Sequence, residues 1–343
     1  MGCLFCKHKI SSQSPDFRTL SLSSIPSSTA KFNKLSILSY NILADKFTSN
    51  KKFYYANPQH LKFNYRSSVV LQELENLNPD IICLQEVDHY RDFYKLKLKE
   101  KYELFEEEKY SMDADSIVVG LKKKKLEFIS KKAIKFLNFV DSDYEIREDG
   151  NYKRFLKGNV ALVIEARLVE SEQKIIIVNT HLYWNPDDED VKLYQFMQII
   201  EYLEEQYDKE ANIIICGDLN SLPESKLIDF IKTNNMKHGF YKNQEKIMKW
   251  NENISRNRKI NLHSVYSRYK KTGYPKFTNY TERFKGVIDY IFYNSDSLLS
   301  PYQILKIPRL DKKGEKGIPN CNHPSDHLPV MAEFYFEKDD KFN

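Results

Sequence analysis

Eight short apolar runs punctuate this chain, and most of them stop at a carboxylate, an amide or an imidazole. The runs fall at residues 35–41, 81–87, 116–121, 159–169, 174–182, 212–218, 287–293 and 329–336. Each has the length of a strand, and runs such as Ile213 to Cys216 are apolar throughout, so they read as strands covered on both faces. Helical patterns lie between them. In "YRSSVVLQELENLNPD", Val70, Leu74 and Leu77 share a face and Pro79 stops the helix. In "DVKLYQFMQIIEYLEEQYD", Leu193, Met197, Ile200, Leu203 and Tyr207 keep the same period. Buried strands with helices between them predict a layered α/β domain in which helices cover sheets. Residues 236–262 are polar and charged, and are expected to loop over the surface.

The strand ends carry the chemistry. "SILSYNIL" ends near Asn41, "IICLQEV" at Glu86, "IIIVNTHLYWNP" near His181 and "IIICGDLNSLP" at Asp218 and Asn220. "GVIDYIFY" carries Asp289, and "HPSDHLPV" sets Asp326 and His327 just before the last strand. Residues two apart on a strand share a face, so Asp218 and Asn220 would leave the apolar floor together. Taken singly, each feature has a plain reading: Gly-Asp and Asn-Ser are ordinary turn pairs, Glu86 a solvated acid, His181 a satisfied structural histidine. Six strands delivering such groups to their ends is a different matter, because layered α/β folds gather strand ends into one functional face.

The chemistry open to that set is narrow. No Walker-type phosphate loop and no Gly-x-Ser-x-Gly elbow is present. Oxygen donors dominate, which suits a hard ion such as Mg²⁺ or Mn²⁺ and not a thiolate-held Zn²⁺. Metal-assisted attack of water on a phosphorus ester is the natural reaction class. With 41% hydrophobic and 29% charged residues among 343, the chain reads as a soluble globular protein, without a bilayer-spanning run or a secretory h-region. The net charge of +5 permits a polyanionic partner without requiring one. Lys122 to Lys125, with Lys131, Lys132 and Lys135, read as a solvated strand end or as a rim that attracts phosphates. The five cysteines are scattered and odd in number, which argues for a reducing compartment.

The ordered set Asn41, "LQEV", "NTH", "GDLN", "IDY" and "SDH" resembles the endonuclease/exonuclease/phosphatase superfamily, the deoxyribonuclease-I-like enzymes, over residues 34–337. More narrowly, "SYNILAD", "NTHLYWNP", "DVKLYQ" and "FTNYTERFKGVIDYIFY" resemble the carbon-catabolite-repressor-type poly(A) deadenylase branch that also contains nocturnin and angel. The resemblance implies a four-layer α/β/β/α sandwich of two packed mixed sheets flanked by helices. It implies one or two Mg²⁺ ions and 3′-to-5′ removal of adenylate from single-stranded RNA. It makes Glu86 the main metal ligand with Asn41 close by, and Asp326 the completion of the acidic cluster. Asp218 would activate or orient the attacking water, and Asn220 would hold the phosphate or the nucleophile. His327 would contact the phosphate with Asp289 fixing its tautomer, and His181 would stabilise charge or assist the leaving oxygen. Pro186 and Phe284 match a base sandwich, Asn185 would meet the base edge or sugar, and Asn159 belongs to the substrate-binding set. "KYSMDADSIVVGLKKKKLEF" departs from the family: it is short and lacks the usual Asp-Gly pair, which leaves one cleft wall open.

Residues 1–33 are expected to be a disordered tail, with eight serines between Ser11 and Ser28. In "MGCLFCKHK", acyl groups on Gly2 and Cys3 would form a two-signal membrane anchor, although Cys6 stands where Ser or Thr is usual. An inert tail and a transit peptide are the competing readings. The expected protein is a cytoplasmic monomer, membrane-anchored if acylated, without the leucine-rich-repeat docking domain common in its branch. The competing function is a phosphatase or phosphodiesterase on a small adenine nucleotide, such as a 2′-phosphate or 2′,5′-oligoadenylate. Lipid or inositol phosphates and a non-catalytic binding module have less support.

Overall fold

The computed structural model describes residues 17–19, 34–110, 115–138, 152–234, 258–267, 273–308, 310 and 316–336. The acylation residues Gly2, Cys3 and Cys6, and most of the 236–262 segment, lie outside them.

Two mixed sheets pack face to face. The first holds β1 (Phe17–Thr19), β2 (Lys34–Asn41), β3 (Ile81–Val87), β4 (Tyr102–Glu108), β5 (Ser116–Lys122), β14 (Leu299–Leu305) and β15 (Val330–Phe336), in the order β1-β14-β15-β2-β3-β5-β4. The second holds β6 (Leu126–Lys135), β7 (Val160–Leu168), β8 (Lys174–His181), β9 (Ile213–Asp218), β10 (Leu262–Ser264) and β13 (Asp289–Asn294), in the order β10-β13-β9-β8-β7-β6. A short hairpin, β11 (Asn279–Tyr280) and β12 (Lys285–Gly286), stands apart. The helices are α1 (Phe63–Leu77), α2 (Lys95–Leu98), α3 (Glu189–Gln206) and α4 (Lys226–Thr233).

The two sheets repeat one plan. Each is centred on a single parallel pair, β2 with β3 and β8 with β9, flanked by antiparallel strands. The parallel strands therefore end at the same edge where their antiparallel neighbours begin. Asn41, Glu86, His181 and Asp218 lie at the ends of the first kind, and Asp289 opens the second kind. The register sets His181 and Asp289 on either side of Asp218 in one row.

Packing follows the strand parity. Leu35 and Ile37 of β2 face the inter-sheet core, while Leu38 and Tyr40 face Val70 and Leu74 of α1. Asn78, at φ 48°, ends α1 by donating its N–H to Leu74 O, ahead of Pro79. The run Ile213 to Cys216 is buried throughout. One polar link crosses the core: Gln85 Nε2 donates to Asn179 Oδ1 at 2.8 Å, and Asn179 Nδ2 donates to Leu84 O and Val118 O at 3.0 Å. The amide donors there are matched, although Gln85 Oε1 is buried without a partner, and the link fixes the sheets' relative position.

The eight expected strands are present within a residue or two at each end. β4, β6 and β14 were not foreseen. β4 and β6 are the outer strands of their sheets and carry charges, as edges that resist further pairing do. Phe17–Thr19, placed in a disordered tail by composition, pairs with the free edge of β14 instead. The lysine cluster sits where the chain turns from β5 of the first sheet into β6 of the second. Lys122 and Lys125 hold Asp80 at 3.1 and 3.0 Å, and Lys131 and Lys135 hold Glu107 at 3.1 and 3.5 Å. Asp80 precedes β3 and Glu86 lies near its far end, so two of these lysines sit roughly 20 Å from the acidic floor at about 3.3 Å per residue. Those two lysines are matched locally and stand away from the site, whereas Lys135 lines a shallow pocket with Lys109.

Candidate active site

Three local devices aim the acidic side chains. A bulge falls between Leu84 and Val87, where Glu86 takes φ 57°. Strict alternation would have sent Glu86 outward with Leu84; the bulge turns it to the sheet end. Gly217 precedes Asp218 at φ 143°, and a Cβ there would lie 1.9 Å from Thr180 O. Only glycine lets β9 approach β8 so closely. Asn220, at φ 48°, folds its own N–H back to Asp218 Oδ1 at 2.9 Å.

Asp218 is the centre of the floor. Asn41 Nδ2 donates to its Oδ2 at 3.1 Å and to Glu86 Oε1 at 3.0 Å, joining acids from the two sheets. Asn41 Oδ1 accepts from Leu43 N at 3.1 Å. Expected as a metal ligand, Asn41 thus turns its amide N–H groups toward the carboxylates and its oxygen to the backbone. Glu86 Oε2 accepts from Ala44 N at 3.1 Å. Nε2 of both His181 and His327 lies 3.6 Å from Asp218 Oδ2.

The two imidazoles differ in charge. His327 Nδ1 lies 2.9 Å from Asp289 Oδ2. Burial opposes the charged ring, but Asp289 and Asp218 outweigh it and raise its pKa to about 10. His181 Nδ1 lies 2.8 Å from Lys109 Nζ. An ammonium only donates, so Nδ1 accepts and the proton sits on Nε2. Burial, Lys109 and His327 together hold His181 well below the usual histidine range. Lys109 is itself anchored by Asp115 at 2.8 Å, and Lys46 approaches Asp115 at 3.6 Å. Both imidazoles therefore turn an N–H toward the floor, one charged and one neutral.

The acids lack enough cations. Burial raises the pKa of Glu86, and the negative charges of Asp326 and Asp115 raise it further. Burial likewise raises Asp218. Oxygen donors held this close and short of positive charge fit a divalent hard cation. Ligand atoms of Asp218, Asp289 and His327 also lie within 4.8 Å of one another, so this buried group could hold a metal ion.

A cavity of 740 Å³ opens above the floor. Glu86, His181, Asp218, Asn220, Asp326 and His327 line its bottom, and Pro186, Phe284 and Asn159 its walls. Asn159 Nδ2 donates to His181 O at 2.9 Å and its Oδ1 accepts from Gln195 at 3.3 Å, so it braces the histidine backbone. Asn185 is not on the wall. Its Nδ2 donates to Asp188 at 2.7 Å and its Oδ1 accepts from Asp187 N at 3.1 Å. Expected to meet a base, it shapes the loop that carries Pro186. Sequence reasoning missed Lys109, Asp115, Lys192, Trp184 and Phe47. Asp115 carries the same mark as the others, an acid at a strand's start. Lys192 stands out as a lysine on a buried helix face, donating to Asn220 O at 2.9 Å.

A model of the Endonuclease/Exonuclease/phosphatase family matches residues 38–327. The chain belongs to that family. Carbon catabolite repressor protein 4 homolog 4 of Arabidopsis thaliana is 29% identical to it over 361 residues, covering 94% of this chain and 84% of the plant protein. The CCR4-Not complex 3′-5′-exoribonuclease subunit Ccr4 of Yarrowia lipolytica is 30% identical over 342 residues, covering 88% of this chain and 48% of the fungal one. The chain thus spans about half the length of that relative. Among solved structures, ANGEL2, a 2′,3′-cyclic phosphatase in complex with adenosine-2′,3′-vanadate, is similar at a TM-score of 0.76. It is 25% identical, with 94% of this chain and 99% of ANGEL2 covered. The chain therefore has the four-layer sandwich that its motifs implied, and its narrower similarity is to carbon-catabolite-repressor-type proteins and to ANGEL2. Among the described residues no helix is long and apolar enough to cross a membrane.

Proposed function

We propose that this protein is a metal-dependent 3′-to-5′ exoribonuclease that removes adenylate from the end of single-stranded RNA. One observation carries the reading: a floor of buried acids and two N–H-bearing imidazoles lies in the same cavity as Pro186 and Phe284, the pair that matches a base sandwich. The floor suits a phosphodiester and the pair suits an unpaired base, whose stacking contributes roughly 1–3 kcal/mol. The similarity to Ccr4 subunits supports the same reading.

Glu86 and Asp326 would hold Mg²⁺, or Mn²⁺, as one or two ions. The bound ion supplies Lewis-acid polarisation of the phosphoryl oxygen. The chain's own residues do the rest. Asp218, fixed by Asn41 and by the Asn220 N–H, orients the attacking water and accepts its proton. Asn220 Nδ2 donates to Leu182 O at 3.0 Å, which holds the residue beside the nucleophile's path. His327, kept charged by Asp289, donates to a non-bridging phosphate oxygen. His181, with its proton on Nε2, donates where negative charge grows in the transition state.

A second reading follows from ANGEL2: hydrolysis of a small adenine nucleotide such as a 2′,3′-cyclic phosphate. To separate them, the full chain would be given 5′-labelled RNA ending in about twenty adenosines, with Mg²⁺ or EDTA, beside Asp218→Ala. A cytidine tail and adenosine 2′,3′-cyclic phosphate run in parallel. A metal-dependent ladder from the 3′ end, faster on adenosine and absent in the variant, supports the exoribonuclease. Intact RNA with a hydrolysed cyclic phosphate transfers the function to the second reading.

A further inference from the structure

The cavity has two lips of opposite character. Eight large hydrophobic side chains are exposed among the described residues, and three of them, Phe47, Trp184 and Phe284, line this one cavity. Trp184 and Pro186 stand on the loop that follows β8 of the second sheet, and Phe284 in the turn of the β11–β12 hairpin. Phe47 stands across the floor, on the segment that leaves β2 of the first sheet. Its ring is 37% exposed.

The segment under Phe47 is firmly held. Phe47 N donates to Ala44 O at 3.0 Å, and Asp45 N and Lys46 N both donate to Asp88 Oδ2. The buried Arg66 donates to Ile42 O and Leu43 O at 3.1 and 2.7 Å and reaches Asp45 at 3.5 Å. A well-anchored backbone thus presents a partly exposed ring, which is the preorganised form of a stacking platform once the flexible Lys46 side chain yields one face.

Charge divides the lips further. Lys46 lies over the Phe47 ring at 5.0 Å, and Lys52 reaches the cavity 3.7 Å from Asp326. The opposite lip carries Glu189 and Glu224, with the buried Lys192 close enough to Glu189 to feel its charge. A phosphodiester chain can continue along the lysine lip, while the acidic lip repels a further phosphate. The volume of 740 Å³ lies toward the upper part of the roughly 300–1,000 Å³ usual for ligand pockets.

We propose that Phe47, flanked by Lys46 and Lys52, forms a second nucleotide subsite, which stacks the base immediately upstream of the scissile phosphate. The terminal base stacks against Pro186 and Phe284, and the strand leaves over the lysines. The proposal rests on the exoribonuclease reading.

The test is a cycle between enzyme and substrate, run with the full chain. Phe47→Ala and Phe47→Tyr are compared on oligoadenylate RNA and on the same RNA with a reduced abasic residue at the penultimate position. Phe47→Ala should raise KM on oligoadenylate about 5- to 100-fold, and Phe47→Tyr should restore it. On the abasic RNA the loss should shrink to about twofold or less, because the partner base is gone. Equal losses on both RNAs overturn the subsite while leaving the exoribonuclease intact. A wild-type protein that cleaves neither RNA overturns the exoribonuclease reading, and the subsite falls with it.

Discussion

Replacing Lys109 with Met should damage both the fold and the chemistry, and a second substitution should separate the two. Lys109 Nζ lies 2.8 Å from both His181 Nδ1 and Asp115 Oδ2, and its side chain is only 11% exposed. Its loss leaves Asp115, 3% exposed, with Lys46 at 3.6 Å as its remaining cation. Breaking a buried ion pair from one side costs about 3–5 kcal/mol. Lys46 offsets some of this, so a loss near 3 kcal/mol is expected, or a fall in Tm of roughly 4–5 °C. Asp115→Asn added to Lys109→Met removes the stranded charge and should recover most of that loss. It should not recover catalysis. Without the lysine, nothing forces the His181 proton onto Nε2, and kcat should fall about 10- to 100-fold. Because Lys109 also holds the His181 pKa down, that pKa should rise in the variant. The assays are thermal unfolding, steady-state cleavage of oligoadenylate, and ¹⁵N shifts of labelled histidine. A double variant with wild-type stability and a kcat within about twofold of wild type would refute the argument, because catalysis would not need the fixed tautomer.

Three further outcomes are expected. Gly217→Ala should cost about 3–5 kcal/mol in denaturant unfolding, since a Cβ would meet Thr180 O at 1.9 Å on a backbone at φ 143°. Asp289→Asn should keep the fold and lower kcat by about 10³-fold or more; with the carboxylate gone, the His327 pKa should drop from about 10 and the alkaline limb of the pH profile should move toward neutrality. Glu73, which accepts from Tyr40 Oη at 2.9 Å, is pushed by burial to about 8. Its folded pKa lies above the ordinary value near 4.5, so its contribution is fully present below about 4.5 and is lost as pH rises through 8. Glu73→Gln should accordingly gain roughly 4 kcal/mol over wild type at pH 8.5 and almost nothing at pH 4.5 in urea unfolding.

What the sequence reveals and conceals here follows from local physics. β9 is legible because four apolar residues and a turn pair write a buried strand and its end into six letters. β4 and β6 are not, since an edge strand gains stability from one neighbour only and carries charges that resemble a loop. Asp218 could be read as an inward acid from alternation alone. Glu86 could not: its aim depends on a bulge, and alternation assigns it to the helix-covered face. Lys109 was hidden for another reason. Its partners Asp115 and His181 are 6 and 72 residues away, and only the fold brings them together. Asn41 and Asn185 show the limit of reading residue types. An amide can present oxygen or N–H, and which one faces the site depends on neighbours that the sequence does not order.

The position of β15 bears on when this protein becomes an enzyme. That strand is the last described, yet it lies inside the first sheet, between β14 and β2. Asp326 and His327 immediately precede it, and Ser325 Oγ ties them to Asn41 O at 2.7 Å. A growing chain holds Glu86, His181 and Asp218 long before it holds His327, and until β15 inserts, β2 has an open edge and the floor has no charged imidazole. Synthesis must therefore pass residue 336 before the floor is complete. Removal of residues 325–336 should abolish activity abruptly, and no fragment that stops before Ser325 should retain a weakened form of it.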